Sequence, residues 1–357
     1  MAYSTIPKPS LYFNTKLYAG NNGTNAITGV GFQPDFNWIK DRTSTGEHLL
    51  VDAVRGMYNI RSNSTAAQSA NGTIHQQSLD SDGFTVAGSA GNSNASGRNY
   101  ASWNWKANGA GSANTDGTTN STVSVNTTAG FSIVKYAGAD AVRTVGHGLG
   151  VKPNLILVKR LGSTGNWQVY HSSLGATKYL ALNENSAVAT STARWNDTEP
   201  TSSVFSLSTS AYVNESGDYI AYCFAEKKGY SKFGSYTGIG NADGPFIYTG
   251  FKPAFIMFKR TGAAAAWYIK DNKRSGTAAG QNFGQMNPNQ LQYPSADATF
   301  AENKASGYSM DILSNGFKPR GTDSGMNTSG GNYIYMAFAE EPLVANSGTD
   351  GVPATAR

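Results

Sequence analysis

Two acid–base pairs in the sequence have the residue types that general acid–base catalysis uses. Asp52 is followed three positions later by Arg55, and Asp271 is followed three positions later by Arg274. Hydrolysis by acid–base chemistry needs two carboxyl groups that face one cleft. Each pair supplies one carboxylate and one cation, which also fits a structural ion pair at a short turn. We therefore predict no catalytic residues and no enzymatic activity.

A histidine followed by two serines, at residues 171–173, contains the residue types of a nucleophilic site. A hydrolase would also need a third group that orients the base, and a strained elbow of the form Gly-x-Ser-x-Gly. No such elbow accompanies these residues, so the sequence predicts a surface turn. The chain has one cysteine, Cys223, and four scattered histidines. This spacing predicts no metal site and no cofactor.

A binding site is easier to motivate, and Trp195 is its centre. It lies in a Ser/Thr-rich stretch and is followed by Asn196 and Asp197. An exposed indole beside an amide and a carboxylate is typical of a sugar-stacking site, which Tyr170 and His171 would complete. The alternative is a tryptophan packed under its own loop. The sequence predicts a glycan contact at these five residues and leaves that alternative open.

Composition places the 357-residue chain among soluble β-proteins. Charged residues make up 14% of the chain and hydrophobic residues 39%, with 41 glycines and 12 prolines. The net charge of +5 is spread thinly and forms no basic run, which argues against a nucleic-acid partner. No apolar run approaches 18 residues, so membrane insertion is not expected. The first nine residues show no signal-peptide pattern, which predicts synthesis in a cytoplasm.

The chain contains three copies of one unit. The clearest landmark is a Pro-led apolar segment ending in lysine, at residues 31–42, 150–160 and 250–260. An aromatic residue and a glycine precede each copy, and an Asn-x-Ser-Gly sequence before a tyrosine follows it. The proline-to-tyrosine distance is 66, 66 and 80 residues, so the third copy carries an insertion, which we place within residues 276–310.

Each landmark favours β-structure. The run after the proline is continuously apolar in copies two and three, which is typical of a strand buried on both faces. Proline suits a strand entrance because it cannot donate to the ladder. Asn-x-Ser-Gly indicates a turn in which Asn and Gly adopt positive φ. Turn signals about every ten residues predict an all-β chain of three tandem β-sandwich repeats, of jelly-roll or concanavalin-like type and about 100 residues each.

The repeat period exceeds that of solenoids, so each copy is expected to have its own core and to form a separate unit. The predicted boundaries are residues 1–107 for repeat 1, 128–228 for repeat 2 and 229–345 for repeat 3. A Gly/Ser/Thr/Asn-rich segment at residues 108–127 is interpreted as a flexible linker. Residues 346–357 are interpreted as a flexible tail.

Three segments resemble a repeat domain found in virion proteins of marine tailed bacteriophages. They are residues 12–20, the Gly-Phe-x-Pro-Asp/Ala-Phe-x-x-x-Lys strands, and residues 219–225. The resemblance covers about residues 10–343. It implies a location on the outside of a phage particle and carries over no functional residue. Repeat 1 departs from the pattern with Asn37 inside its strand and with Trp105 and Lys106 at the end of its last strand.

This resemblance and the composition together predict a structural protein of the virion surface, made in the host cytoplasm. The expected use is that of a tail fibre or adhesin, a homotrimer attached to other capsid or tail proteins, with loops that recognise a host-surface glycan. The alternative is a capsid decoration or tail adaptor with a purely structural role. A weaker alternative is a polysaccharide depolymerase, which would need a cleft with paired acids.

Overall fold

The computed structural model describes residues 8–274 and 309–342, together with Ser4, Ile6 and Ala296. Almost all of its regular structure is antiparallel β-sheet, with one short α-helix and one 3₁₀ turn at Pro9–Leu11. The predicted all-β sandwich class is confirmed. The insertion placed within residues 276–310 and the tail at 346–357 lie almost wholly outside the described residues.

Repeat 1 consists of a large and a small antiparallel sheet. The large sheet has the strand order β1 (Phe13–Ala19), β9 (Asn99–Trp105), β3 (Phe36–Asp41), β4 (Leu49–Asp52), β5 (Gly56–Ile60) and β6 (Ser69–Ala70). The small sheet has the order β2 (Asn25–Thr28), β8 (Gly83–Ala87) and β7 (His75–Asp80).

Repeat 2 has the same plan with two further strands at one edge. Its large sheet has the order β10 (Ser112–Asn114), β11 (Ser121–Asn126), β12 (Phe131–Gly138), β19 (Gly217–Phe224), β14 (Leu155–Arg160) and β15 (Gln168–His171). Its small sheet is the pair β13 (Arg143–Gly146) and β18 (Val204–Leu207). A further pair is β16 (Lys178–Tyr179) with β17 (Ala189–Thr190). The helix α1 spans Thr192–Trp195.

Repeat 3 has four described strands in its large sheet and three in its small one. The large sheet has the order β20 (Ser231–Thr237), β26 (Asn332–Pro342), β22 (Phe251–Arg260) and β23 (Trp267–Asp271). The small sheet has the order β21 (Ile247–Tyr248), β25 (Gly316–Pro319) and β24 (Met310–Leu313). In all three repeats the last strand lies between the first strand and the Pro-led strand.

Each large sheet is buried on both faces, as the apolar runs predict. One face packs on the small sheet of the same repeat, so each repeat has its own core. The other face belongs to a fourth cluster, the common core, which draws side chains from all three repeats. Strand β19 shows this alternation, since Tyr219 and Ala221 lie in the repeat's own core whereas Ile220, Tyr222 and Phe224 lie in the common core.

The last strands meet at the centre of the common core through three equivalent aromatic rings, one from each repeat. Trp105 lies 6.2 Å from Phe224 and 5.6 Å from Phe338 between ring centroids, and Phe224 lies 5.9 Å from Phe338. The repeats therefore surround one centre. The expectation of three separate units is wrong, because the outer faces of the large sheets are apolar and cover one another.

The predicted linker at residues 108–127 is also wrong, since it contains β10 and β11. Strand β11 extends the large sheet of repeat 2 by pairing with β12. The segment between β10 and β11 then runs along the edge of the small sheet, where Thr119 forms a parallel bridge to Val145. A Cβ at Gly117 would lie 2.4 Å from the Thr144 carbonyl oxygen. The small residues permit close backbone approach here and do not indicate flexibility.

The Asn-x-Ser-Gly landmark is a turn in which only glycine takes positive φ, at +77° in Gly97 and +69° in Gly330. The asparagine has another role, because its buried side chain ties the turn to a distant segment. In repeat 3, Asn327 Nδ2 donates to the Asn241 carbonyl at 2.7 Å, and its Oδ1 accepts from the Ile239 amide at 2.9 Å. The landmarks recur because they meet in space.

Candidate functional site

The sugar-stacking site predicted around Trp195 does not exist as an exposed surface. Trp195 ends α1 and is only 2% exposed. Its Nε1 donates to the Lys178 carbonyl at 3.1 Å, and its ring packs edge-on against Tyr170 at 6.1 Å. The indole is therefore packed under its own loop, which is the alternative that the sequence left open. The ring is part of the core of repeat 2.

Tyr170 is also buried, and its hydroxyl is already engaged. It donates to Glu199 Oε2 at 2.5 Å. Glu199 Oε2 also accepts from Lys152 Nζ at 2.7 Å, and Oε1 accepts from the Ala176 amide at 2.7 Å. Partial burial opposes the Glu199 charge, but these three donors outweigh it and lower the pKa of Glu199. This cluster fastens the loop after α1 to the large sheet.

The two remaining polar residues of the predicted site are exposed. Asn196 and Asp197 take φ values of 53° and 48°, the left-handed region that asparagine and aspartate tolerate at helix ends. They form the turn after α1. The exposed ring nearest to them in sequence belongs to Tyr212, which covers the Arg194 guanidinium at 5.0 Å. Trp195, Tyr170 and His171 thus do not join Asn196 and Asp197 in one accessible surface.

His171 and the two aspartates of the acid–base pairs occupy equivalent positions at the ends of β4, β15 and β23. Asp52 pairs with Phe36, His171 with Leu155, and Asp271 with Phe255 in the strand register. These junction residues, Asp52, His171 and Asp271, are at most 1% exposed. Each contacts the last strand of a neighbouring repeat. Their polar groups contact a neighbouring repeat and do not face solvent.

The junction between repeats 1 and 2 is a buried ion pair with a hydroxyl. Asp52 Oδ2 accepts from Arg55 Nε at 2.5 Å and from the Tyr222 hydroxyl of repeat 2 at 2.7 Å. Burial disfavours the Arg55 charge, but the adjoining carboxylate outweighs this and raises the pKa of Arg55. Burial also raises the pKa of Tyr222. The junction contains one carboxylate and not two. It therefore fits a structural ion pair better than a pair of acid–base catalysts.

The two other junctions complete a ring. Asp271 Oδ2 of repeat 3 accepts from Arg274 Nε at 2.5 Å and from Trp103 Nε1 of repeat 1 at 2.9 Å. His171 of repeat 2 contacts repeat 3, where its Nε2 lies 3.1 Å from the Tyr335 carbonyl oxygen. Repeat 1 thus contacts repeat 2, repeat 2 contacts repeat 3, and repeat 3 contacts repeat 1. The sequence identified these residues but not the junctions.

Acid is expected to destabilise the chain through the buried His171. Its Nδ1 accepts from the Ser173 amide at 3.1 Å, which requires neutral imidazole with the proton on Nε2. Burial lowers the pKa of His171 to about 4 from 6.5. The stability that neutral His171 supplies is complete above pH 6.5 and is lost as the pH falls toward 4, by about 3 kcal/mol in total. Urea unfolding between pH 7 and pH 4 measures this loss.

His171→Asn is the matched variant, because its amide can still accept from Ser173 but does not titrate. Its unfolding free energy should fall less steeply with acid than that of the natural chain. His75 and His147, whose pKa values burial also lowers, remain in both proteins. Equal acid dependence of the two proteins would contradict the assignment.

An accessible cluster lies instead on the outer face of the small sheet of repeat 3. The rings of Phe246 and Tyr248 are 48% and 52% exposed, and their centroids lie 6.5 Å apart at an angle of 61°. Both flank Ile247, whose side chain is buried in the opposite direction. Gly316 lies opposite Tyr248, and a Cβ there would come within 3.0 Å of the Phe246 ring. We call Phe246, Tyr248 and Gly316 the aromatic platform.

Charged side chains border the aromatic platform. Lys318 follows Gly316 by two residues on the same face of β25, and its Nζ lies 2.7 Å from Asp243 Oδ1. Arg320 also contacts Asp243, and its Nε donates to Asp311 Oδ2 at 2.6 Å. The bonds from Lys318 and Arg320 lower the pKa of Asp243, which is fully charged at neutral pH. The rim therefore holds two cations that share the exposed Asp243, and Arg320 also contacts the buried Asp311.

The aromatic platform was missed by sequence reasoning, although the repeat alignment contains its signal. Ile27, Val145 and Ile247 are equivalent because each pairs with a phenylalanine of its small sheet. Ile27 is flanked by Ala26 and Thr28 in repeat 1, and Val145 is flanked by Thr144 and Gly146 in repeat 2. Two aromatic residues at these outward positions are a property of repeat 3 alone.

Other groups that could carry chemistry are placed elsewhere. Among the residues that the structure describes, no three His, Cys, Asp or Glu side chains are grouped so that they could hold a metal ion. Cys223 is buried in repeat 2, and burial raises the pKa of its thiol. Within the same described ranges, no helix is long and apolar enough to cross a membrane.

Comparison with known families identifies the chain through one match. A family described as "Domain of unknown function (DUF7483)" matches residues 8–342. The chain belongs to this family. The match extends across all three repeats, so the DUF7483 domain is the complete ring and not a single repeat. No curated protein and no solved structure matches the chain.

Proposed function

We propose that this DUF7483 domain is a structural protein of the outer surface of a bacteriophage particle, which presents a recognition surface to the host. The resemblance of about residues 10–343 to a repeat domain in virion proteins of marine tailed bacteriophages supports the location. The observation that carries the proposal is the closed ring, because three sandwiches joined through a common core and buried junctions make one rigid support for exposed loops.

The ring also bears on the expected homotrimer. Trp105, Phe224 and Phe338 already give one chain an approximate threefold arrangement. A single chain therefore already has an approximately threefold centre. The homotrimer stays a prediction, as do the capsid or tail partners.

The alternative of a capsid decoration or tail adaptor is favoured by the same compactness. The described residues contain no long strand stack or coiled coil that would serve as a fibre shaft. A decoration protein would use the ring as a clamp on a protein shell. A depolymerase is less well supported, because Asp52 and Asp271 are buried in ion pairs and do not face a cleft together.

The test is to find the protein on particles. Antibodies against the chain should label density-purified virions on their outside, and mass spectrometry of those particles should detect it. Labelling confined to the tail would support host recognition, and labelling over the whole capsid would support the decoration role. Recovery of the protein only from the soluble fraction of the lysate would contradict both.

A further inference from the structure

We infer that the aromatic platform of repeat 3 binds a neutral saccharide, with the CH face of a sugar ring stacked on Phe246 and Tyr248. This inference deepens the proposed function, on which it rests for the host surface that would supply the saccharide. It moves the predicted glycan contact from repeat 2 to repeat 3. The argument starts from the comparison between repeats.

The two rings are not required by the fold. Repeat 1 builds the same small-sheet edge with Ala26 and Thr28, and repeat 2 builds it with Thr144 and Gly146. The buried residue between them is retained in every repeat as an isoleucine or a valine, which packs inward. Exposing two large apolar rings is unfavourable in water. About half of each ring remains exposed in repeat 3, and this half is accessible to a ligand.

The size of the platform fits a small ligand better than a protein. Two half-exposed aromatic side chains offer on the order of 200 Å² of apolar surface. A stable protein interface buries about 800 Å² on each partner. One or two sugar rings match the smaller area. The angle of 61° between Phe246 and Tyr248 also gives a shallow, bent surface and not a flat one.

The charge of the rim selects a neutral ligand. Asp243 contacts both Lys318 and Arg320, and Arg320 also contacts Asp311, so the two cations are balanced by two carboxylates. An acidic polymer would have to displace a carboxylate to reach a cation, and a basic one would meet the cations. The outer edge of the cluster still presents carboxylate oxygens and N–H groups, because Asp243 is 71% exposed at its side chain. Hydroxyl groups can both donate to the former and accept from the latter.

A saccharide has both an apolar face and a polar edge, and this surface can bind both. One face of a pyranose ring carries C–H groups that pack on an aromatic ring, and its periphery carries hydroxyls that hydrogen-bond to charged side chains. A Cβ at Gly316 would lie 2.1 Å from the Ile247 carbonyl oxygen and 3.0 Å from the Phe246 ring, so glycine permits the close approach of β21 and β25 beside this ring. A ring stacked there lies next to Lys318 and Asp243.

The experiment measures binding of the full chain to neutral and acidic oligosaccharides by an immobilised glycan array and by saturation-transfer NMR. The key variant is Phe246→Ala with Tyr248→Thr, which installs the residues of repeat 1 and so suits this backbone. We expect binding to neutral hexose oligosaccharides that falls at least tenfold in this variant. Tyr212→Ala, which removes an exposed ring from repeat 2, is the control and should stay within twofold of the natural chain. Circular dichroism confirms that all three proteins fold.

Three results would overturn the inference: no binding to the neutral panel, equal binding by the natural chain and the double variant, or a preference for acidic saccharides. These outcomes are separate from particle labelling. A chain that labels virions but binds no saccharide keeps the proposed function and loses this site. A chain that binds saccharide but is missing from virions keeps the site and loses the proposed function.

Discussion

Replacing Trp105 with alanine is expected to lower the free energy of unfolding of the whole chain by about 3–5 kcal/mol. The indole is 1% exposed and lies where the three repeats meet. Its ring contacts Phe224 of repeat 2 and Phe338 of repeat 3, so the cavity opens at the shared centre and all repeats lose packing. Urea unfolding followed by circular dichroism measures the change.

Trp105→Phe is the matched control, because phenylalanine is the residue that repeats 2 and 3 have at this position. It leaves a smaller cavity, and it removes a buried indole N–H that has no hydrogen-bond partner. We expect it to cost clearly less than the alanine variant. A Trp105→Ala protein that unfolds within 1 kcal/mol of the natural chain would show that the common core contributes little.

Replacing Asp52 with alanine should destabilise the chain by a similar amount, about 3–5 kcal/mol. The change leaves the Arg55 guanidinium buried without its counter-charge, and it also removes the acceptor of the Tyr222 hydroxyl in repeat 2. Arg55 keeps its bonds to the Leu50 and Tyr58 carbonyls, but its charge and the Tyr222 hydroxyl proton lose their acceptor. Equilibrium unfolding in urea at pH 7 is the measurement.

Two controls separate the junction from general effects of losing a carboxylate. Asp218→Ala breaks an exposed ion pair with Lys135 and should cost no more than about 1 kcal/mol. Tyr222→Phe keeps the Asp52–Arg55 pair but removes the bond between repeats, and should cost about 1 kcal/mol. Equal losses for Asp52→Ala and Asp218→Ala would contradict the account of the junction.

Much of the fold could be predicted from the repeats. The Pro-led segments are strands buried on both faces, and the Asn-x-Ser-Gly sequences are turns at which Gly97 and Gly330 take positive φ. The common core could also have been inferred. Residues 219–224 are apolar in every position, and one small sheet can cover only one of their two faces. The second apolar face requires another partner.

The sites were harder to predict because exposure is a tertiary property. Trp195 follows polar residues and precedes an amide and a carboxylate, yet its ring turns inward against Tyr170. Phe246 and Tyr248 look like an ordinary strand sequence, and the strand alternation around Ile247 alone places them outside. The segment at residues 108–127 was misjudged for a related reason, since an edge strand in close backbone contact needs no large side chains.

The buried positions of Asp52, His171 and Asp271 show how one location can serve different chemistry in the three repeats. An aspartate with a nearby arginine binds a side-chain donor of the next repeat in two cases. A neutral histidine contacts a backbone carbonyl in the third. The difference follows from the residue on the facing last strand. Trp103 and Tyr222 have a side-chain donor at this position, whereas the equivalent Met336 of repeat 3 has none.

Hydrogen exchange across a urea series, read by mass spectrometry, tests most directly whether the three repeats form one closed unit. Strands β9, β19 and β26 each pack against the common core and report on one repeat. The account predicts that their amides lose protection together, at one urea concentration. Loss of protection in one repeat while the other two remain protected would show three independent units and would contradict the closed ring.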